Sequence, residues 1–238
     1  MASTQDGGTT NLLVTADLIL FDLDGTLIDS GADIAKSVNL LRRSESLPPL
    51  ATPVIESFVG NGVRRLLRRA FEETLSPIQD ETNRRRRLDA LHEAYRATYQ
   101  AHLLDQTRMF PGVEEALNTL RGRIPMAILT NKPFRETEMI LEGLSMSAFF
   151  DEVCGGDTFA RKKPDPIGAE TLLARFGVTA PNGIMVGDSI VDQGLAESAN
   201  LPFCLVTYGL GSSAVTTNRC RWVVDDLSSW SQRLVAPS

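Results

Sequence analysis

The chain has 238 residues, 42% of them hydrophobic and 23% charged, with a formal net charge of −6. That balance fits a globular protein with a sizeable core, as one large domain or two modest ones, and argues against a nucleic-acid partner. Three scattered cysteines, Cys154, Cys204 and Cys220, suit a reducing, cytoplasmic setting better than a disulfide scaffold; no apolar run reaches the ~18 residues of a membrane span, so no membrane partner is expected.

Met1–Thr10 carries no Lys or Arg and no apolar core, so neither a signal nor a transit peptide is expected, and residues 1–13 read as a disordered tail. The first apolar run, Leu18–Phe21, reads as a buried strand and leads into D-L-D-G-T, with two carboxylates one residue apart, Asp22 and Asp24. From Ser30 to about Asp105 no strand is expected. Val63, Leu66, Leu67, Ala70 and Phe71 make one amphipathic stripe, and Leu88, Leu91, Tyr95 and Tyr99 make another. Helix Val113–Leu120, strand Met126–Thr130, helix Gly168–Phe176 and strands Ile184–Gly187, Phe203–Thr207 and Trp222–Val224 follow. This alternation predicts a doubly wound α/β parallel sheet of Rossmann-like type, with ligands at the carboxyl ends of its strands. The expected division is a core of residues 14–28 and 106–238 and a helical insert of residues 29–105, joined near Asp29–Ser30 and Asp105–Met109. Residues 30–105 carry a net charge of +2 against −8 elsewhere, which suits an anionic substrate near the insert and a cation in the core. The plainer expectation for Arg84–Arg87 is a solvated helix face.

The predicted strand ends carry the chemistry. The first ends in Asp22, with Asp24 and Thr26 beyond; the second in Thr130-Asn131-Lys132; a third in Asp188-Ser189, with Asp192 four residues after Asp188. Arg161-Lys162-Lys163-Pro164-Asp165-Pro166 precedes the third. In a parallel sheet these ends share one edge. Several carboxylates together repel one another unless a cation sits among them, and oxygen ligands without His or Cys point to magnesium. Thr130 suits a hydrogen bond to a phosphoryl group and Lys163 the neutralisation of its charge. An aspartate in that setting can attack phosphorus, and a second carboxyl two residues on, Asp24, can move the proton.

D-L-D-G-T from Asp22, L-T-N-K from Leu129, K-P-D-P from Lys163 and G-D-S-I-V-D from Gly187 resemble the four ordered motifs of the haloacid dehalogenase superfamily. The resemblance runs from Leu18 to about Gly209, and the inserted helices look like that superfamily's helical cap. It implies Asp22 as nucleophile and Asp24 as general acid/base. It further implies Asp22 and Asp188 as side-chain metal ligands, Asp24 as a backbone-carbonyl ligand and Asp192 as a supporting carboxylate. Thr130 and Asn131 would hold the phosphoryl group, and Lys163 would neutralise it, with its neighbour Lys162 as the alternative lysine. F-V-G-N-G from Phe58, F-P-G-V at Phe110, G-G-D at Gly155 and K-K-P-D-P at Lys162 are similar to phosphoglycolate phosphatases. That similarity implies a cap loop at Gly60, Asn61 and Gly62 facing the substrate, with Arg64 beside it; Asn61 also reads as an N-cap. Asn200 stands where glycine is usual after the fourth motif and is expected to serve as a left-handed C-cap.

The expected activity is a magnesium-dependent phosphatase of a small phosphorylated metabolite, 2-phosphoglycolate first, working as a monomer or homodimer through an aspartyl phosphate. Other substrates, a sugar phosphate, an amino-sugar phosphate or pyrophosphate, stay open, as does a phosphosugar mutase. A phospho-accepting signalling module is the reading from a different class; Asp24 and the insert argue against it. Dehalogenation is disfavoured because the dehalogenases of the superfamily lack the second aspartate. His92 and His102 are expected as surface or core residues, and Cys154, Cys204, Trp222 and Trp230 as packing.

Overall fold

The computed structural model describes residues 14–235; the expected N-terminal tail lies outside the described residues. The chain enters through Val14–Thr15 (β1) and Leu18–Phe21 (β2). Ile28–Asp29 (β3) leads to five helices, Gly31–Ser44 (α1), Thr52–Glu56 (α2), Val63–Ala70 (α3), Glu72–Leu75 (α4) and Glu81–His102 (α5). Arg108–Met109 (β4) returns to Val113–Leu120 (α6), Met126–Leu129 (β5), Phe134–Gly143 (α7), Glu152–Cys154 (β6) and Ile167–Phe176 (α8). Gly183–Gly187 (β7), Ile190–Ser198 (α9), Phe203–Val206 (β8), Trp222–Val224 (β9), Leu227–Ser231 (α10) and Leu234–Val235 (β10) complete it.

One six-stranded sheet has the order β6-β5-β2-β7-β8-β9, and every pair in it is parallel. The predicted strands fall within a residue of their expected ends. Edge strand β6 went unforeseen, because Glu152-Val153-Cys154 is too short and mixed to read as an apolar run. Both faces of the sheet are covered, which is why β2 and β5 are apolar at every position. Alternation still sorts the faces. Leu18 and Leu20 pack with Ala169, Leu172 and Leu195, whereas Ile19 and Phe21 join the cluster that holds Val113, Leu117 and Trp230. Truncating the fully buried Phe21 to Ala is expected to cost about 3–5 kcal/mol.

The register sets β2 between β5 and β7, pairing Phe21 with Ile128 on one side and Val186 on the other. The residues that follow, Asp22, Thr130 and Asp188, therefore emerge side by side at the carboxyl edge, where the strand order reverses and ligands bind. Asn200 takes a φ of 55° just past α9, the left-handed position expected of it.

The two chain crossings to the helical insert pair with each other. β3 and β4 form an antiparallel ribbon, Ile28 opposite Met109 and Asp29 opposite Arg108. Buried Asp33 in the first turn of α1 accepts hydrogen bonds from the backbone N–H groups of Gln106 and Thr107 and from the Thr107 hydroxyl. Within the insert, α5 packs on α1 and α3 and buries Leu91, Tyr95 and Tyr99 of the predicted stripe, with Leu88 partly buried. Asp80 caps it by accepting from Asn83 N–H at 2.7 Å. The arginine run corrects the solvated-face expectation in part: Arg84 donates to the Ile78 carbonyl and Arg87 pairs with Glu45, tying α5 to neighbouring segments. No described helix is long and apolar enough to cross a membrane.

Candidate active site

Asp22 follows β2 directly and is buried. Its Oδ1 accepts the Leu23 N–H at 2.8 Å and faces the Lys163 ammonium at 2.9 Å. Gly25 then takes a φ of 84°, and a Cβ there would lie 2.4 Å from Asp188 Oδ2, so only glycine lets the loop pass the third strand end. Asp188, after β7, accepts from the Thr26 hydroxyl at 3.1 Å and the Gly211 N–H at 2.8 Å. Asp192 is fully buried in the first turn of α9. Its Oδ1 binds Lys163 Nζ at 2.6 Å, and its Oδ2 accepts the Ser189 N–H and hydroxyl, the reciprocal half of a capping box.

Ligand oxygens of Asp22, Asp188 and Asp192 all lie within 4.8 Å of one another. Burial pushes the Asp22 carboxyl up to about 6, with Asp192's charge adding and Lys163 opposing. Burial, then the charges of Asp192 and Asp22, push Asp188 up to about 8. Burial works against the charge of Lys163, but Asp192 and Asp22 outweigh it and hold its pKa above the usual lysine value. One ammonium among three buried carboxylates leaves an excess of negative charge. An all-oxygen donor set of that kind fits a hard divalent cation, and the triad could hold one. Asp192 already binds Lys163 and caps α9, so much of its hydrogen-bonding capacity is used within the protein.

Asp24 is set apart from this cluster. Its carboxylate accepts from the Ser30 hydroxyl at 2.6 Å and from Lys132 Nζ at 2.9 and 3.0 Å. Lys132 Nζ also donates to the Tyr99 hydroxyl of α5 at 2.7 Å. A second seam lies one turn away. Glu136 Oε1 on α7 accepts from Gln100 at 2.6 Å and Arg96 at 3.3 Å, both on α5. Lys132 stands within L-T-N-K without an expected role, and no catalytic or fastening role is expected of Ser30, Tyr99 or Glu136. A lysine three residues past a strand, opposite two aspartates, was the one available signal; Tyr99 read only as part of an apolar stripe.

The other predicted residues divide. The Thr130 hydroxyl lies against Asp22 and bears on its titration. Asn131 is buried, but both its amide hydrogens are engaged, one to the Gly60 carbonyl and one to the Lys163 carbonyl, each at 3.0 Å. Its side chain therefore joins the cap loop to the third-motif loop rather than offering donors to a phosphoryl group. Its Oδ1 is buried without a hydrogen-bond partner among the described residues. Asn61 is a correction. Gly62, not Asn61, stands at the N-cap of α3, and the Asn61 side chain accepts from Arg65 at 3.1 Å, away from the cavity lining. Arg64 borders the cavity, but its guanidinium pairs with Asp89 of α5.

A cavity of about 220 Å³ opens above Asp22, Asp24 and Thr130. That is below the ~300–1,000 Å³ typical of sites for drug-sized ligands and suits a small metabolite. Its ceiling is apolar at Val59, Val63 and Leu66 and aromatic at Tyr95 and Tyr99. His92, expected as a surface or core residue, also lines it. Burial first, then the charges of Arg64, Lys162 and Arg96, lower its pKa and favour neutral imidazole.

Residues 19–206 match the family of haloacid dehalogenase-like hydrolases, and the chain belongs to that family. Among its relatives, the phosphoglycolate phosphatase of Caulobacter vibrioides is 34% identical over 200 residues, covering 84% of this chain and 82% of that protein. The phosphoglycolate phosphatase of Aliivibrio fischeri is 36% identical over 198 residues, covering 81% and 84%. A crystal structure described as a predicted phosphoglycolate phosphatase from Haemophilus somnus 129PT superposes with a TM-score of 0.82 at 28% identity, covering 94% of this chain and 99% of that one.

Proposed function

We propose that the protein is a phosphatase of small phosphomonoesters that acts on 2-phosphoglycolate, with magnesium at the Asp22, Asp188 and Asp192 cluster, in the cytoplasm. The observation that carries this reading is the separation of two neighbouring aspartates. Asp22 lies in the cation-demanding cluster beside Lys163, and Asp24 lies outside it, held by Ser30 and Lys132. The substrate is suggested by the relatives' activity and by the small cavity.

Oδ1 of Asp22 is held by Leu23 N–H and Lys163, which leaves Oδ2 to attack phosphorus. The ester P–O bond breaks as the Oδ2–P bond forms; Asp24, which must first take up a proton against the pull of its Lys132 pair, passes that proton to the departing alkoxide. Asp24, now a carboxylate, takes a proton from water as that water attacks phosphorus. The Oδ2–P bond then breaks, freeing phosphate and restoring Asp22. Lys163 and Thr130 balance and orient the phosphoryl oxygens, and magnesium supplies further charge neutralisation when bound. Residues 14–28 and 106–238 form the catalytic core in this reading, and residues 29–105 form a cap that excludes bulk water.

A panel of phosphomonoesters with and without EDTA tests the proposal. Magnesium-dependent release of phosphate, greatest on 2-phosphoglycolate, is expected. Absence of turnover on every ester overturns the phosphatase reading, and isomerised phosphosugar in place of free phosphate identifies a mutase.

A further inference from the structure

Lys162 and Lys163 are neighbours in sequence and part company in space. Lys163 turns inward to Asp22 and Asp192. Lys162 turns to the cap and lines the cavity. A Cβ built on Gly62 would lie 3.2 Å from Lys162 Nζ and 3.6 Å from the Asn131 carbonyl oxygen, which sets this ammonium between the cap loop and the loop after β5.

Of the cavity's other cations, Arg135 makes no ion pair among the described residues, and the rest are committed. Lys132 pairs with Asp24, Arg64 with Asp89 and Arg96 with Glu136. Lys162 makes no ion pair or side-chain hydrogen bond among the described residues. The acid whose charge bears on it most, Asp157, is engaged with its Oδ1 on the Phe134 N–H at 2.7 Å, at the start of α7. Partial desolvation, with Arg64 nearby, lowers the Lys162 pKa, while the residue as a whole is exposed, so its ammonium is open to an arriving anion. The chain opposite Lys162 has no acid in the first turn of α3, no side-chain cap there, and a glycine where any side chain would crowd the ammonium.

We infer that Lys162 is a specificity-determining residue that binds a second anionic group of the substrate, a carboxylate close to the phosphoryl group. This rests on the phosphatase reading and deepens it: Lys163 serves the phosphoryl end common to all phosphomonoesters, and Lys162 reads what is attached. An unpaired ammonium at the border of a small cavity favours a compact dianionic ester over one with a neutral tail, because only the former brings it a charged partner.

The test compares wild type, Lys162→Met and Lys162→Arg on 2-phosphoglycolate, 2-phospholactate and ethyl phosphate in magnesium, with kcat and KM measured separately. Wild type is expected to prefer the carboxylated esters. Lys162→Met is expected to lower the ratio of kcat/KM on carboxylated ester to kcat/KM on ethyl phosphate by about 10- to 100-fold, mainly through KM, with Lys162→Arg recovering most of it. Equal losses on all three esters, no loss, or a wild type without preference for a carboxylate overturns the inference. Preference for phospholactate alone, lost in Lys162→Met, supports the role of Lys162 and overturns phosphoglycolate as the substrate. No turnover by wild type on any of the three overturns both.

Discussion

The acidic floor of the site and the seam between α5 and the core use the same residue types to opposite ends. At the floor, Asp22, Asp188 and Asp192 share one lysine, and the carboxyls of Asp22 and Asp188 titrate well above the ordinary range. At the seam, charges match one for one, Asp24 with Lys132 and Glu136 with Arg96. An imbalance held rigid by burial is a demand for a cation; a balanced set is a fastening. Metal and pH should therefore act on the floor, and cap substitutions on the seam.

The largest effect expected is at the floor. Asp22→Asn should reduce turnover by at least about a thousandfold with the fold intact, read by steady-state kinetics beside a thermal melt. Next comes Lys132→Met at the seam, which leaves Asp24 with Ser30 alone and unfastens Tyr99. A loss in kcat of about a hundredfold is expected, together with loss of stability from the unpaired Asp24. If Lys132→Met instead left kcat untouched and changed only magnesium affinity, the division between floor and seam would fail.

A third test uses pH. A carboxyl whose folded pKa lies above its unfolded value of 3.8 favours the folded state at low pH, and that contribution is lost as pH rises through the folded pKa. The EDTA-treated protein should thus lose stability between about pH 4 and pH 8, and magnesium should raise its Tm more at pH 8 than at pH 6. Asp188→Asn should flatten this dependence and melt ~5 °C above EDTA-treated wild type at pH 8, the equivalent of ~2 kcal/mol for a chain of this length, while losing turnover. The smallest effect concerns the cap loop. Asn61→Ala should change kcat/KM less than about twofold, because the side chain serves Arg65 rather than the cavity.

What the sequence revealed follows the same division. The floor was legible because Asp22, Thr130 and Asp188 stand at the ends of apolar strands, which a parallel sheet brings together, while Lys163 and Asp192 lie in the motifs before and after the third of these strands. The sheet itself was legible because strands covered on both faces read as unbroken apolar runs. The seam was not, since Tyr99 lies on α5, far from any motif, and Glu136, though only four residues past Lys132, gains its partners Arg96 and Gln100 through the tertiary packing of α5 on α7. Asn61 departs from expectation for a local reason. Its sequence fits an N-cap, but Gly62 holds that place, at a φ of 83°, and turns the asparagine toward Arg65. Asn131, expected to hold a phosphoryl group, lies beside the floor with its amide bridging two loops.

The central claim is that Asp22 carries the phosphoryl group between its two transfers. The direct measurement is a rapid acid quench of the enzyme during turnover of phosphate-labelled 2-phosphoglycolate in magnesium, followed by peptide mapping. The account predicts transient label on the peptide containing Asp22, absent in Asp22→Asn. Full turnover with no label on Asp22, or with label on another residue, would contradict it.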